Sequence, residues 1–179
     1  MAQCSLYSLP DQFCHQQLKV SAVEYWYYLY IREKIPDIES FFNMPGGQKK
    51  FFRATPDFWS DSLKLGINLN GCFRHGHFMT VPDGEGGTCI KACPSLPAGT
   101  TLDTKGIHGE TYRSIQFREK QLHAKILAET EMKEFRVVYT CQFEAAMKNP
   151  HSDIYAFFNR RQDLLGKKLP EPMKIRRCL

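Results

Sequence analysis

The chain has 179 residues, with 24 Lys and Arg against 19 Asp and Glu for a net charge of +5, and 13 Phe, 8 Tyr and 2 Trp. This length is typical of one domain, and the aromatic content supplies enough apolar area for a core, which excludes wholesale disorder. No apolar run reaches the ~18 residues of a membrane span, and the first residues lack the blocks of a signal peptide. We therefore expect a soluble intracellular protein that is neither secreted nor bound to a membrane.

The seven cysteines are odd in number and scattered along the chain. That pattern differs from the paired framework of a small secreted fold and favours reduced thiols or a metal site.

The N-terminal third predicts an arm, a helix and two strands. Residues 1–20 show no clear period and are expected to form a loosely held arm. Helical spacing over 21–34, with Ser21 as N-cap and Glu24 at the third helical position, predicts a first helix that opens with a capping box. Strands are expected at 51–55 and 63–69, and in the second of these apolar residues alternate with polar residues or glycine.

The rest of the chain predicts a long loop followed by helices and one strand. The glycine- and proline-rich loop 77–106 is too long for a routine connection. A helix is expected over 110–132, a strand over 135–143 and a helix over 153–165, before a basic extended tail at 166–179. The predicted buried stripe of the longest helix consists of Tyr112, Ile115, Leu122, Ile126 and Leu127. This order predicts an α/β (α+β) domain over 21–165 with a mixed sheet flanked by helices.

The most specific motif is NLNGCFRHGH at 68–77, preceded by Pro56 and Asp57. It resembles the core of the very-short-patch repair endonucleases, in which PD, a strand and GCFWHGH follow one another at the same spacing. It is also similar to an endonuclease-like segment of the protein-primed family B DNA polymerases of Polinton-type mobile elements and viruses. In that second family the resemblance extends through the helix and strand that follow, and together the matches cover roughly 21–144.

The resemblance implies a restriction-endonuclease-like fold of the PD-(D/E)XK type. In that fold carboxylates at strand ends hold Mg²⁺, which polarises the scissile phosphate and activates water. Asp57 matches the metal-binding aspartate, His75 the motif histidine, and Glu24 an accessory acid. Each also has a structural interpretation: Asp57 as a turn former, His75 as a satisfied partly buried histidine, and Glu24 as the capping-box acid.

The motif departs from the pattern at its acidic positions. Asn68 and Asn70 stand where the families carry an acid or a histidine, so Asn68 offers Mg²⁺ only an amide oxygen and Asn70 replaces a catalytic side chain. Gln142 stands where a later strand carries a carboxylate. These substitutions predict weakened or absent catalysis.

A structural zinc site is the second expectation from the resemblance. Cys72 and His77 match zinc ligands of the repair enzymes, and Cys141 lies two residues from a third, on the same face of the predicted strand. Cys89 and Cys93 lie in the long loop, which tetrahedral ligation would organise without apolar burial. We expect Cys72, His77, Cys89 and Cys93 as the preferred set; the alternative is that these are small core residues and free thiols.

Three functions follow as hypotheses. The first is a DNA-binding nuclease-fold domain related to, or a fragment of, such a polymerase, located in the nucleus and without polymerase activity of its own. The second is an active Mg²⁺-dependent DNA endonuclease of the nicking type, and the third is a catalytically dead protein-interaction module. Seven basic residues are the expected contacts to the DNA backbone: Lys49, Lys50, Arg53, Arg74, Arg113, Arg118 and Lys120.

Overall fold

A computed structural model describes residues 16–19, 22–43, 49–51, 54–161 and 174–177. In chain order, its elements are β1 (Gln16–Lys19), α1 (Ala22–Lys34), β2 (Ile38–Ser40), β3 (Phe58–Ser60), β4 (Leu65–Asn70), α2 (Cys72–His75), β5 (Phe78–Pro82), β6 (Thr88–Ala92), α3 (Tyr112–Glu129), β7 (Glu134–Tyr139), α4 (Thr140–Lys148), α5 (Asp153–Arg160) and β8 (Lys174–Arg177).

A four-stranded mixed sheet forms the centre of the fold, with the strand order β2-β3-β4-β7. β2, β3 and β4 pair antiparallel, with Phe58 opposite Ile67, whereas β4 and β7 pair in parallel, with Asn70 opposite Tyr139. The parallel pair needs a crossover, and α3 provides its helix. The predicted α+β class with a mixed sheet is thus confirmed.

The two faces of this sheet carry different cores, because successive strand residues point to opposite sides. Phe58 and Ile67 pack with the aromatic residues of α1, α4 and α5, while Trp59 packs with Ile126 and Met132 on the α3 side. We call the first cluster the aromatic core; its twelve buried members are Tyr27, Tyr28, Ile31, Ile38, Phe41, Phe42, Phe58, Leu65, Ile67, Phe143, Phe157 and Phe158.

A hairpin of β5 and β6 stands apart from the central sheet. Its strands pair antiparallel, with Thr80 opposite Ile90. It packs through Phe78 and Ala92 on a smaller cluster that includes Leu96 and Tyr112. The structure therefore places ordered strands inside the expected loop 77–106, which periodicity alone had not indicated.

The two long helices were predicted well. α1 lies within 21–34, although Ser21, its expected N-cap, lies outside the described residues. α3 lies within 110–132 with Thr111 as N-cap, its side chain accepting from the N–H of Ser114. Leu127 is the exception in the predicted stripe, since it is an exposed residue.

The strand predictions required correction. Residues 51–55 contribute only a bridge between Phe51 and Ala54, and the strand begins after Asp57, as β3. β7 ends at Tyr139, and the remainder of the predicted strand 135–143 turns into α4. Its burial then follows a helical repeat, with Phe143 in the aromatic core.

The expected arm and tail each contribute one strand. β1 pairs antiparallel with β8, so Gln17 lies opposite Arg176. This pairing joins the two ends of the chain, which sequence patterning had treated as independent extensions.

Candidate functional site

Polar side chains gather at one end of the central sheet, where β3 begins and β4 and β7 end. The Oδ2 atom of Asp57 accepts a hydrogen bond from the backbone N–H of Leu69 at 2.8 Å. The N–H of Asp57 donates to Oδ1 of Asn68 at 3.2 Å. These bonds continue the pairing of β3 with β4 beyond Phe58 and fix Asp57 to the end of β4.

Burial changes the ionisation of Asp57. Removal from water raises the pKa of the carboxyl from 3.8 to about 6, while the Leu69 N–H and the charge of His75 act in the opposite direction. His75 belongs to the same end of the sheet, because its partner Glu119 also lies 3.5 Å from the amide of Asn70 at the end of β4.

The short helix α2 carries His75 to this end of the sheet. It ends at Gly76, whose φ of 68° is a left-handed conformation that glycine adopts without a steric penalty. α3 holds α2 from one side, since the Tyr112 hydroxyl donates to the backbone oxygen of Phe73 at 2.8 Å and Gln116 Nε2 to that of Gly76 at 2.5 Å. His75 is therefore positioned by backbone contacts at both ends of its helix.

Glu119 of α3 completes the group. Its Oε1 lies 2.5 Å from Nδ1 of His75, and its Oε2 lies 3.5 Å from Nδ2 of Asn70. The carboxylate fixes the orientation of the imidazole, so the other ring nitrogen, Nε2, is directed away from Glu119. A carboxylate–imidazole pair is the arrangement of a general acid–base. We call Asp57, Asn68, Asn70, His75 and Glu119 the polar sheet end.

Sequence reasoning missed Glu119. It follows Tyr112 and Gln116 at helical spacing, so the three side chains lie on one face of α3, the face that contacts α2. Polar residues repeated along the buried side of a predicted helix were the signal that could have identified it.

Glu24 occupies a different part of the fold from Glu119. It is partly buried in the first turn of α1. α1 packs on the aromatic core, on the face of the sheet opposite to α3. Its expected role as an accessory acid therefore gains no support from the contacts of the polar sheet end.

The polar sheet end offers little to a divalent cation. A metal site needs at least three Asp, Glu, His or Cys side chains with their ligand atoms close together. In the part of the chain that the structure describes, such a group, with its ligand atoms within 4.8 Å of one another, is found only around Cys72. Glu119 is engaged by His75, and Asn68 and Asn70 supply uncharged amides. Asp57 is the carboxylate that fits a Mg²⁺ ligand, with one oxygen already bonded to Leu69 N–H.

A cluster of three thiols and one imidazole lies beside α2. Cys72, His77, Cys93 and Cys141 each direct one ligand atom to a common centre, and these atoms lie within 4.8 Å of one another. A tetrahedral ion with metal–sulfur bonds of about 2.3 Å needs ligand separations of about 3.8 Å. The four residues, which we call the thiol cluster, could therefore bind a metal ion after small side-chain movements.

The surroundings of the thiol cluster suit metal ligation. Burial lowers the pKa of His77, which favours the neutral imidazole that a metal requires. The ring of Tyr139 stacks on that imidazole at a centroid distance of 3.9 Å. Burial would raise the pKa of the Cys72 thiol, but hydrogen bonds from Cys141 and Thr140 lower it overall, whereas burial raises that of Cys141 to about 12.

The membership of the thiol cluster corrects the preferred zinc set. Cys89 lies on β6, four residues before Cys93, and a strand of that length separates the two by roughly 13 Å. Cys141 takes its place, from the first turn of α4 rather than from a strand. The same-face argument for Cys141 was therefore wrong in its geometry, although the residue itself lies in the cluster.

The predicted DNA contacts fall into three classes. Lys49, Arg113 and Arg118 are paired with Glu131, Asp103 and Glu110 at 2.5–2.9 Å, all at the surface. Lys50, Arg74 and Lys120 are exposed. Arg53 lies outside the described residues.

A search of protein-family models, curated proteins and solved structures finds no match to this chain. Among the described helices, none combines the length and apolarity that crossing a membrane requires.

Proposed function

We propose that this chain is a DNA-binding domain with a nuclease-type fold, whose polar sheet end receives a phosphate of the DNA backbone. One observation carries the proposal: Asp57, bonded to Leu69, and His75, bonded to the Glu119 that also contacts Asn70, belong to the same end of a mixed sheet. A restriction-endonuclease-like ancestry accounts for this convergence. A nuclear location and association with a polymerase module belong to the same proposal.

The surface beside His75 supports contact with nucleic acid. Phe73 and Arg74 precede His75 on α2 and are exposed, Phe73 by 50%. An aromatic ring next to a guanidinium provides stacking and charge for a nucleic-acid strand. Arg74 and Lys120 have exposed side chains, whereas the charges of Arg113 and Arg118 are already paired with carboxylates. We therefore assign the larger share of phosphate binding to Arg74 and Lys120.

Weak catalysis is the second part of the proposal. Mg²⁺ in nuclease sites is held by one or two carboxylates together with substrate phosphate, and when bound it polarises that phosphate. Asp57 supplies one such carboxylate, ionised above pH 6. Glu119 is committed to His75, and the neighbouring side chains are the amides of Asn68 and Asn70. Binding of DNA with slow hydrolysis is the result we expect.

An active Mg²⁺-dependent endonuclease is the second candidate, favoured by the pair of His75 and Glu119. A histidine oriented by a carboxylate can take a proton from water or give one to a leaving oxygen. This candidate requires Asp57 alone to suffice as the protein's anionic metal ligand.

Zinc is the metal that we propose for the thiol cluster. Three thiolates and one neutral imidazole are a ligand set typical of structural zinc, and four protein ligands leave no open position for a substrate in a tetrahedral site. The cluster would then organise the region around the hairpin rather than perform chemistry.

DNA binding is tested by the salt dependence of the affinity for a short duplex. The Arg74→Ala and Lys120→Ala variants should each lower the slope of log K against log salt by about 1, because each removes one phosphate contact. Lys148→Ala is the matched control, since Lys148 is exposed at the end of α4 on the opposite face of the sheet. Absence of salt-dependent binding by the native chain would favour the protein-interaction module instead.

Hydrolysis is tested by nicking of supercoiled plasmid in Mg²⁺. We expect little nicking by the native chain at enzyme concentrations that saturate the DNA. If the second candidate is correct, nicking will be clear and Glu119→Gln will slow it by about 10²–10⁴-fold, the usual contribution of general acid–base catalysis. Asp57→Ala should then abolish nicking. Slower nicking by Glu24→Gln would support the role of Glu24 as an accessory acid.

Zinc is tested by elemental analysis of the purified chain. We expect one zinc per chain, lost in Cys93→Ser and retained in Cys89→Ser, because Cys89 lies on β6 outside the cluster. Equal zinc content in both variants would contradict the assignment.

A further inference from the structure

The four members of the thiol cluster differ in their exposure to solvent. Cys72, His77 and Cys93 are buried, with Cys93 exposed by only 1%. Cys141, in the first turn of α4, is partly exposed. A small oxidant in solution therefore meets Cys141 before the two other thiols of the cluster.

Cys72 is the neighbour best placed to react next. The two sulfurs lie within 4.8 Å of each other, and the hydroxyl of Thr140, which directly precedes Cys141 in the chain, lies 3.6 Å from the sulfur of Cys72. A disulfide needs about 2.05 Å, so a movement of at most about 3 Å, shared between two side chains, closes the bond.

We propose that Cys141 and Cys72 are a peroxide-sensitive pair whose oxidation to a disulfide expels the metal from the thiol cluster. The Cys141 sulfur attacks a hydroperoxide and loses its proton or its bond to the metal; an S–O bond forms, the O–O bond breaks, and the leaving oxygen takes a proton. The Cys72 thiolate then attacks the Cys141 sulfur, and hydroxide leaves and becomes water after protonation. The two sulfurs lose two electrons, and hydrogen peroxide gains them as two molecules of water.

The two ligands that stay outside the disulfide hold the hairpin. His77 immediately precedes β5 and Cys93 immediately follows β6, and the Cys93 N–H donates to the His77 oxygen at 3.0 Å. Oxidation therefore keeps the start of α2 joined to α4 but frees both ends of the hairpin from the metal. The cavity of about 650 Å³ between β6 and residues 93–103 shares Cys93 as a wall and loosens with it.

Metal release rests on the zinc proposed above, whereas the disulfide needs only the clustered thiols. Zinc content of the reduced protein is therefore measured first. A chain without zinc that still forms the Cys72–Cys141 disulfide would contradict the zinc assignment alone. A chain with zinc that forms no such disulfide would overturn the present proposal alone.

The experiment titrates the full-length reduced protein with hydrogen peroxide. Released zinc is measured with a colorimetric chelator, and disulfides are mapped by peptide mass spectrometry. We expect one zinc released for each Cys72–Cys141 disulfide, with return to the starting state on adding thiol and zinc. Cys89→Ser is the matched control and should behave as the native chain, because Cys89 is a partly exposed thiol outside the cluster.

Limited digestion with trypsin tests whether oxidation loosens the hairpin of β5 and β6. Cleavage after Lys91, an exposed residue of β6, should be at least tenfold faster after oxidation and should return to the reduced rate on repair. Cys93→Ser serves as a second variant that leaves the reacting pair intact and should still form the disulfide if it folds. A disulfide between Cys93 and either partner in the native chain, or oxidation that leaves cleavage at Lys91 unchanged, overturns the proposal.

Discussion

Two regions of this molecule are held together by different forces. The aromatic core joins α1, α4 and α5 to the sheet through twelve buried residues, eight of them Phe or Tyr. The cluster region, which comprises α2, β5, β6 and residues 93–111, packs on α3 in a cluster of only five buried apolar residues, two of which are the thiols Cys72 and Cys93. Apolar burial suffices for the first region, whereas the second has little of it, and the proposed metal ligation would add to its order.

The difference also locates function. His75 belongs to the cluster region and Asp57 to the sheet, so the polar sheet end lies where the two regions meet. A change in the thiol cluster is therefore expected to affect His75 through α2, which holds both Cys72 and His75, whereas a change in the aromatic core would act first on the sheet. Variants in the thiol cluster and variants in the aromatic core should therefore have distinguishable effects.

Removal of the metal should have the largest effect. Structural zinc contributes an apparent free energy of about 10 kcal/mol or more in small metal-dependent folds. Chelation should therefore abolish amide protection in β5, β6 and α2, whereas α1, α4 and β3 keep theirs. Hydrogen exchange measured residue by residue checks this, and equal loss of protection in both regions would show that they form one cooperative unit.

Phe143→Ala should have the next largest effect, in the opposite region. Phe143 is exposed by 1%, and its ring contacts those of Tyr27 at 5.2 Å and Phe158 at 6.2 Å. Loss of a buried Phe costs about 3–5 kcal/mol of unfolding free energy. Denaturant unfolding measures the loss, and zinc content should stay at the native value.

The matched control is Phe117→Ala on α3. Phe117 is 63% exposed, so its truncation should change the unfolding free energy by less than about 0.5 kcal/mol. A large effect there would mean that an unseen contact covers this face of α3.

Sequence patterning predicted the elements whose signals are local. α1 and α3 carry helical periodicity over many residues. β3 was missed because its three residues are too short to show an alternation, and the strand predicted over 135–143 was too long because a β-branched strand passes directly into a helix after Tyr139. The hairpin could not be predicted from apolar content, since its order depends on side chains distant in sequence.

The residues of the candidate site also fall into two groups, those that a sequence motif identified and those that only the folded structure identified. Asp57, His75, Cys72 and His77 came from a motif, and the structure brings them to two neighbouring groups. Glu119 and the replacement of Cys89 by Cys141 depend on tertiary packing. Helical spacing with Tyr112 and Gln116 could have pointed to Glu119, whereas no spacing within the chain shows that Cys141 rather than Cys89 lies in the cluster.

Asp57→Asn should change the free energy of unfolding by an intermediate amount that depends on pH. The folded state raises the pKa of Asp57 from 3.8 to about 6, so the fold favours the neutral carboxyl. This contribution to stability is complete below about pH 4 and is lost as pH rises through 6. Because the side chain keeps some contact with water, we expect the variant to be more stable than the native chain by about 1–2 kcal/mol at pH 7.5, and equal to it near pH 4.

Urea unfolding at several pH values tests this, with Asp61→Asn in the exposed turn as the control. The amide that Asp57→Asn introduces keeps an oxygen that can accept from Leu69 N–H, so the comparison isolates the charge. A stability difference that is independent of pH would refute burial as the cause of the raised pKa of Asp57.

Surface ion pairs should have the smallest effects, and they test whether polar contacts rather than metal hold the cluster region. Asp103 accepts two hydrogen bonds from Arg113, at 2.9 and 3.0 Å, across residues 93–111, yet both side chains are exposed. Asp103→Asn should leave the urea midpoint of the metal-bound chain unchanged, because exposed ion pairs contribute little to stability.

Asp153→Asn is the corresponding variant of a surface carboxylate beside the aromatic core. It weakens a bond from Tyr30 at 2.7 Å and removes a charge at the start of α5, for an expected cost of about 0.5–1 kcal/mol. A greater loss for Asp103→Asn than for Asp153→Asn would mean that the cluster region depends on its surface polar contacts, and ligation would no longer explain its order.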